Sequence, residues 1–332
     1  MATHQKHITP LYGYDAALLG LRGRWVPIQP PSEAPSTTRN RNNPMSLKIL
    51  TYNIWFDVLF KAERCDAVMR IVEEEEPDIL CFQEVTPGFE AKLRWNSYFR
   101  KNWYMTGLDN MMMHTGSHYG TSIMVNRKTL KRLGVWANAF WVDFPGTQTG
   151  RVLLGLEIAE NNTGNPTFNI GTIHLDYTPQ QRAVEFGICV QSLAESINGA
   201  PVTASLFCGD TNATSYPETG LPLAGGYEDA WMTTHPLTME ELGNSGVDLL
   251  KRDVTYGAAG IRTNGGSKAV QGKEDPRRLD LVFSKGFKVG GCRRVGDVPI
   301  GNEYLKHLDD EKLKDLQIFP SDHVGVVTEL EC

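Results

Sequence analysis

Several apolar runs in this sequence end in, or carry, a polar side chain. Asn53 closes LKILTYN, Glu84 follows ILCFQ, and His174 ends FNIGTIH. Asp210 and Asn212 follow SLFCG, Asp280 lies inside RLDLVF, and Asp322 and His323 precede the last apolar run. A polar group taken into an apolar interior is costly without partners. Residues at one set of strand ends in an α/β fold converge on a common crevice, where they can partner one another. Carboxylates, amides and imidazoles together could hold a hard divalent cation through oxygen and move a proton. Taken singly, each has a plainer reading: Glu84 or Asp210 as a turn residue, His174 as a satisfied core histidine. The repetition argues for a site.

The elements that must position these residues alternate between strand and helix. Strands are expected at 47–54, 79–83, 120–126, 133–142, 151–158, 167–174, 205–208, 279–283 and near 323–330. Residues 61–76 read as an amphipathic helix, with Cys65, Val68, Met69 and Val72 on one face. A second helix is expected at 180–198, with Ala183, Phe186, Val190, Leu193 and Ile197 inward and Gly199 as its stop. This pattern predicts an α/β four-layer sandwich, two mixed β-sheets flanked by helices. Residues 1–46 read as an N-terminal arm with aromatic and apolar positions, followed by a Pro/Ser/Asn-rich linker over 28–45. The catalytic domain is expected over 47–332.

A chain of 332 residues is ample for a sizeable core. Its six cysteines form no Cys-x-x-Cys pair, which argues against a zinc site. Cys81 and Cys208 lie in apolar runs and fit buried thiols in a reducing compartment. With neither a signal-peptide core nor a run long enough to span a bilayer, the expectation is a soluble monomer of the nucleus, the cytoplasm or both. The net charge of −6 and pI near 5.8 argue against a broad, sequence-independent grip on nucleic acid, though not against binding one chain end through a local basic patch. Arg262, Lys268, Lys273, Arg277 and Arg278 could form such a patch or a solvated loop.

The ordered set TYNIWFD (51–57), CFQEVTP (81–87), TIHLD (172–176), CGDTNA (208–213), RLDLVF (278–283) and PSDHVG (320–325) resembles the endonuclease/exonuclease/phosphatase superfamily. Within it, the chain is most similar to plant-type 5′-tyrosyl-DNA phosphodiesterases. The resemblance implies Mg²⁺ (or Mn²⁺) held by Glu84, with Asn53 and Asp322 completing the shell. It implies that Asp210 orients and deprotonates the attacking water. Asn212, His174 and His323 would act on phosphate oxygens, and Asp280 would hold His323. It further implies a substrate wall of Tyr119, Tyr256 and Leu279, with Arg151 near the DNA phosphates. The partner would be a DNA 5′ end carrying a tyrosyl adduct, with no membrane involved. Arg182 would be either a phosphate-side residue or a surface ion pair on its helix.

Two departures from the family pattern stand out. Trp55 replaces an acidic residue found in vertebrate members, and His174-Leu175-Asp176-Tyr177 replaces His-Leu-Glu-Ser. An abasic-site or nonspecific nuclease is the same-class alternative. An inactive interaction module on this fold is the alternative from another class, and the intact polar set weighs against it.

Overall fold

Alternation along each central strand divides its side chains between two cores. In β4 (Ser46–Asn53), Leu47 and Ile49 point inward between two sheets, while Leu50 and Tyr52 point outward under helices. In β5 (Ile79–Val85), Ile79 and Cys81 are inward and Leu80 and Phe82 outward. In β11 (Ala204–Asp210), Leu206 and Cys208 are inward and Phe207 outward. A period of two, apolar on both faces, is what a strand buried from both sides requires. Followed to its end, the inward row becomes polar: Asn53 on β4, Gln83 on β5, and Asp210 on β11. The site therefore occupies one end of the interior between the sheets.

A computed structural model of the chain describes residues 4–16, 24–29, 46–108, 118–147, 149–160, 164–238, 241, 248–257, 259–263, 269–271, 276–305 and 316–331. One sheet has seven strands. Its order is β1 (His7–Thr9), β8 (Val135–Asp143), β9 (Val152–Glu160), β10 (Pro166–His174), β11, β15 (Asp280–Lys285) and β12 (Glu228–Asp229). The other has eight, in the order β16 (Lys288–Val295), β18 (Gly325–Glu331), β4, β5, β7 (Gly120–Asn126), β6 (Trp103–Thr106), β2 (Leu11–Asp15) and β3 (Arg24–Pro27). A small side sheet joins β14 (Ala269–Gln271), β13 (Ile261–Thr263) and β17 (Leu316–Ile318). Both large sheets are mixed: β4–β5 and β10–β11 pair parallel, and their other ladders are antiparallel.

Helices α1 (Lys61–Glu75) and α2 (Pro87–Trp95) cover the eight-stranded sheet. They bury Val68, Met69, Val72, Phe89 and Leu93 against it. The Pro179–Leu193 helix covers the seven-stranded sheet with Phe186, Cys189 and Leu193. Helix, sheet, sheet, helix is the four-layer α/β sandwich expected.

The N-terminal arm joins this sandwich. Residues 7–9 pair with β8 on one sheet, and residues 11–13 pair with β6 on the other. Strands of the sandwich therefore lie on both sides of the composition change near residue 46. Most of the expected linker, residues 30–45, lies outside the described residues, as do Met111, Met112, Met113 and His114.

The second helix differs from expectation. It ends at Leu193, because Asn169 of β10 donates its amide to the Leu193 and Glu195 carbonyls, at 3.0 and 2.7 Å. Gly199 instead serves a separate turn, at φ +81°. The buried face also runs through Arg182 and Glu185, and Ala183 is exposed. Arg182 is fully buried, with Nε donating to Glu218 at 2.7 Å and Nη1 to the Asp176 carbonyl at 3.1 Å. It is thus a core ion pair, neither a surface pair nor a phosphate ligand.

Candidate active site

Strand register brings the polar ends side by side. His174 is opposite Asp210 in the β10–β11 ladder, and Asp210 is opposite Asp280 in the β11–β15 ladder. Asn53 is opposite Gln83 in the β4–β5 ladder. Two backbone features then aim the next residues. β5 breaks register between Phe82 and Val85, and Glu84 sits there at φ +60°. Asn212 sits at φ +48°. Left-handed backbone is costly for such residues and clusters at functional sites. Gly209, at φ +141°, is required for a different reason: a Cβ there would collide with the Ile173 carbonyl oxygen.

Gln83 ties the two sheets together beneath the site. Its Nε2 donates to Thr51 Oγ1 at 3.1 Å on its own sheet and to Thr172 Oγ1 at 3.0 Å on the facing one. Within the eight-stranded sheet, Ser321 ties the segment before β18 to the end of β4, its Oγ donating to the Asn53 carbonyl at 2.7 Å and accepting from the His323 N–H at 3.2 Å.

The converging side chains line a cavity of about 420 Å³. Glu84, His174 and Asp210 each present a ligand atom, and these lie within 4.8 Å of one another. Asn53, expected in the metal shell, turns its amide nitrogen toward this group, donating to Asp210 Oδ2 at 2.9 Å and Glu84 Oε1 at 3.2 Å. Its oxygen is taken by the Trp55 N–H at 3.0 Å. Asp322 lines the same cavity. Asp280 Oδ2 meets His323 Nδ1 at 2.8 Å, which leaves the ring's Nε2 facing Asp210 Oδ2 at 3.7 Å. The backbone N–H groups of Leu279 and Asp280 both donate to Thr255 Oγ1, at 3.0 Å each, and so fix that carboxylate. Asn212 donates its amide to the Leu175 carbonyl at 2.9 Å, and its N–H to Asp210 Oδ1 at 2.9 Å.

Burial and charge set the protonation states. Burial, then the neighbouring Asp322, pushes the Glu84 carboxyl up to about 7; Asp210 adds to this, and the Phe56 N–H and His323 oppose it. Burial also raises Asp322. Burial and the nearby Arg151 push His174 down to about 3, despite Asp210. Burial would lower His323 as well, but Asp280 and Asp210 outweigh it and hold the ring well above its ordinary value. A buried group of two carboxylates and an imidazole, with one carboxyl raised by burial and by Asp322, fits a divalent cation, which would relieve the carboxylate repulsion.

Of the expected substrate residues, Tyr256 and Leu279 line the cavity, and the Tyr256 ring lies 4.8 Å from that of His323. Tyr119 stacks on Phe56 at 4.9 Å, with its ring 6.1 Å from His174. Arg151 departs from expectation. It is buried, donates to the Leu175 carbonyl, and lies under the Tyr177 ring at 4.6 Å. It supports the wall from behind and is not among the residues that line the cavity.

The basic segment resolves unevenly. Arg278 is buried in a bidentate pair with Asp229, at 3.0 and 2.9 Å, and Arg262 turns back on the Ala259 carbonyl at 3.3 Å. Lys268 and Lys273 lie outside the described residues. Arg277 lines the cavity.

Sequence reasoning missed Trp55, Phe56, Tyr177 and Thr214 as lining residues. Trp55 and Phe56 lie within a motif already singled out, and Tyr177 and Thr214 each follow one, which was the available signal. It also missed Arg64, whose guanidinium collects the carbonyls of Leu59, Ile54, Trp55 and Asp57 and so clamps the loop carrying Phe56. The Phe56 N–H donates to Glu84 Oε2 at 2.9 Å.

The profile of the Endonuclease/Exonuclease/phosphatase family matches residues 50–323. The chain belongs to that family. Its enzymatic class is metal-dependent phosphodiester hydrolysis, and the family works with a divalent metal. The fold is similar to D. rerio TDP2 complexed with a single-strand DNA product: 20% identity and TM-score 0.58, over 86% of this chain and 98% of that one. It is similar to TDP2 from C. elegans at 20% identity and TM-score 0.58, over 86% of this chain and 75% of that one. It is also similar to the B. thetaiotaomicron mannosyl-6-phosphatase, at 15% identity and TM-score 0.53, over 86% and 99%. No curated protein matches the chain. Among the described residues, no helix is long and apolar enough to cross a membrane.

Proposed function

We propose that this family member hydrolyses the 5′-phosphotyrosyl–DNA bond with Mg²⁺ as its metal. The observation that carries this reading is the composition of the cavity. Two imidazoles and three carboxylates share it with an apolar, aromatic rim of Trp55, Phe56, Tyr177, Tyr256 and Leu279. Such a rim suits a single-stranded end and an aromatic leaving group, because base–aromatic stacking gives ~1–3 kcal/mol per base. A continuous duplex offers neither feature to it.

Glu84 and Asp322 are the carboxylates that would hold the ion, with His174 within ligand reach and Asp210 beside it. When bound, Mg²⁺ supplies charge neutralisation at the phosphate and acidifies water. Asp210 sits beside both imidazoles, where it orients the attacking water and accepts its proton. His323, kept protonated by Asp280, donates to a non-bridging oxygen as negative charge develops. Asn212 steadies Asp210 through its backbone N–H. Water adds to phosphorus, the bond from phosphorus to the tyrosyl oxygen breaks, and the products are a 5′-phosphate and a free phenol. No side chain becomes covalently attached.

The test is one assay with three substrates: a 5′-tyrosyl oligonucleotide, an internal abasic-site duplex and an inositol polyphosphate. The tyrosyl end should be cleaved with the highest kcat/KM and leave a 5′-phosphate. Faster cleavage of the abasic duplex would replace this reading with the nuclease one.

A further inference from the structure

Arg277 is the one guanidinium lining the active-site cavity among the described residues. Its neighbour Arg278 is spent on the buried pair with Asp229. Alternation along the chain therefore sends one guanidinium into the core and the next into the cavity. The Arg277 backbone is locked to the Tyr256 segment: its carbonyl accepts from the Thr255 and Tyr256 N–H groups at 2.9 and 2.8 Å, and its N–H donates to Tyr256 at 3.2 Å. Its side chain reaches across to the opposite lip, where Nη1 donates to the Thr214 carbonyl at 2.6 Å, two residues past Asn212. One acidic partner, Asp248, is 3.5 Å away and over a third exposed, so that pair is loose and water-screened.

We propose that Arg277 is a specificity-determining residue: it takes the phosphate next to the scissile one, and so makes the site prefer a polynucleotide end over an isolated phosphodiester. This rests on the phosphodiesterase reading above and deepens it. A cavity holding Glu84, Asp210 and Asp322 repels a polyanion at its mouth, and a fixed cation there counters the repulsion. Guanidinium is the group suited to phosphate, through its planar fork of donors. Its place beside Thr214 and Tyr256 puts it at the edge of the site, away from the Glu84–His174–Asp210 group. A substrate phosphate arriving there exchanges with Asp248.

The experiment measures binding of thymidine 5′-monophosphate (pT) and the dinucleotide pTpT by calorimetry in Mg²⁺, for wild type, Arg277→Gln and Arg277→Lys. Turnover of the matching p-nitrophenyl 5′-esters and melting temperatures are recorded in parallel. Wild type should bind pTpT more tightly than pT by on the order of tenfold, the usual scale for one charge-assisted contact. Arg277→Gln should bring that ratio close to one and flatten the salt dependence for pTpT by about 0.7 in log–log slope. Arg277→Lys should keep much of the preference. A wild type without preference overturns the proposal. So does an unchanged ratio in Arg277→Gln, or equal losses on both ligands with a lowered melting temperature, which would mark Arg277 as a structural clamp. A wild type that prefers pTpT yet leaves a 5′-tyrosyl oligonucleotide intact would sink the tyrosyl reading alone.

Discussion

The two walls of the cavity each carry a histidine, and they hold one ring neutral and the other charged. On the seven-stranded side, His174 is buried near Arg151, which lies beneath Tyr177, and its value falls to about 3. At the closing end of the chain, His323 is equally buried, but Asp280 sits 2.8 Å from Nδ1 and the ring holds its proton. Burial is common to both and favours the neutral ring. For His174 burial, aided by Arg151, prevails over the Asp210 carboxylate 3.4 Å away, whereas for His323 Asp280 and Asp210 together outweigh burial. One cavity thereby contains a neutral imidazole able to accept or ligate and an imidazolium able only to donate.

The largest expected effect tests the charged side. His323→Ala should lower kcat by about a hundred- to thousandfold, the usual cost of one transition-state donor, with a much smaller change in substrate binding. Asp280→Asn should give a milder loss, and the double variant should be no worse than His323→Ala. If the two losses multiply instead, Asp280 does not act through the ring.

A middle-sized effect separates the two rings by stability in the metal-free protein. His174 has a folded value near 3 against an ordinary 6.5. Its contribution is present above pH 6.5 and lost as the pH falls toward 3. His323 has a raised folded value, so its contribution is complete below pH 6.5 and is lost as the pH rises through that value. Each changes unfolding free energy by up to ~1.4 kcal/mol per pH unit within its window. Denaturant titrations of His174→Gln and His323→Gln against wild type should therefore diverge on opposite sides of pH 6.5. Divergence on the same side would dissolve the contrast.

The smallest effect concerns the cause of the neutral ring. Arg151→Met removes the nearby cation while keeping much of the stem, so the His174 ring should titrate at higher pH, followed by ring NMR shifts. An unmoved titration would leave burial as the whole cause.

Much of this was legible in the sequence. β7 falls on 120–126 as expected, and helix α1 buries the predicted Cys65, Val68, Met69 and Val72. Most of the polar strand ends line one cavity, and Asn53 and Asp280 bond to side chains that do, because two-residue alternation carries an inward apolar row directly into an inward polar one. What escaped reading depends on contacts between segments far apart in the chain. β16 contains Gly290-Gly291 and Arg293-Arg294, a poor strand pattern, and it forms because β18 offers a free edge. The helix face was misread by one position because its inward row includes Arg182 and Glu185, whose burial depends on Glu218 and Asp176. Arg151 was placed at the substrate by its neighbours in sequence, and only tertiary structure puts Tyr177 over it.

Phe56 belongs to two groups at once. Its ring stacks on Tyr119 at the rim, and its backbone N–H stabilises the ionised form of Glu84. The Arg64 clamp makes the surrounding loop a stiff unit, so the ring and the N–H cannot move independently. A molecule that shifts the ring therefore changes how strongly Glu84 retains a proton. By reciprocity, a change of charge at Glu84 alters affinity at the rim by the same factor. Occupancy at the mouth and ionisation at the floor are thus thermodynamically linked through a single peptide bond, and in the metal-free protein a rim ligand should itself release or take up protons near pH 7, to which burial and Asp322 raise Glu84.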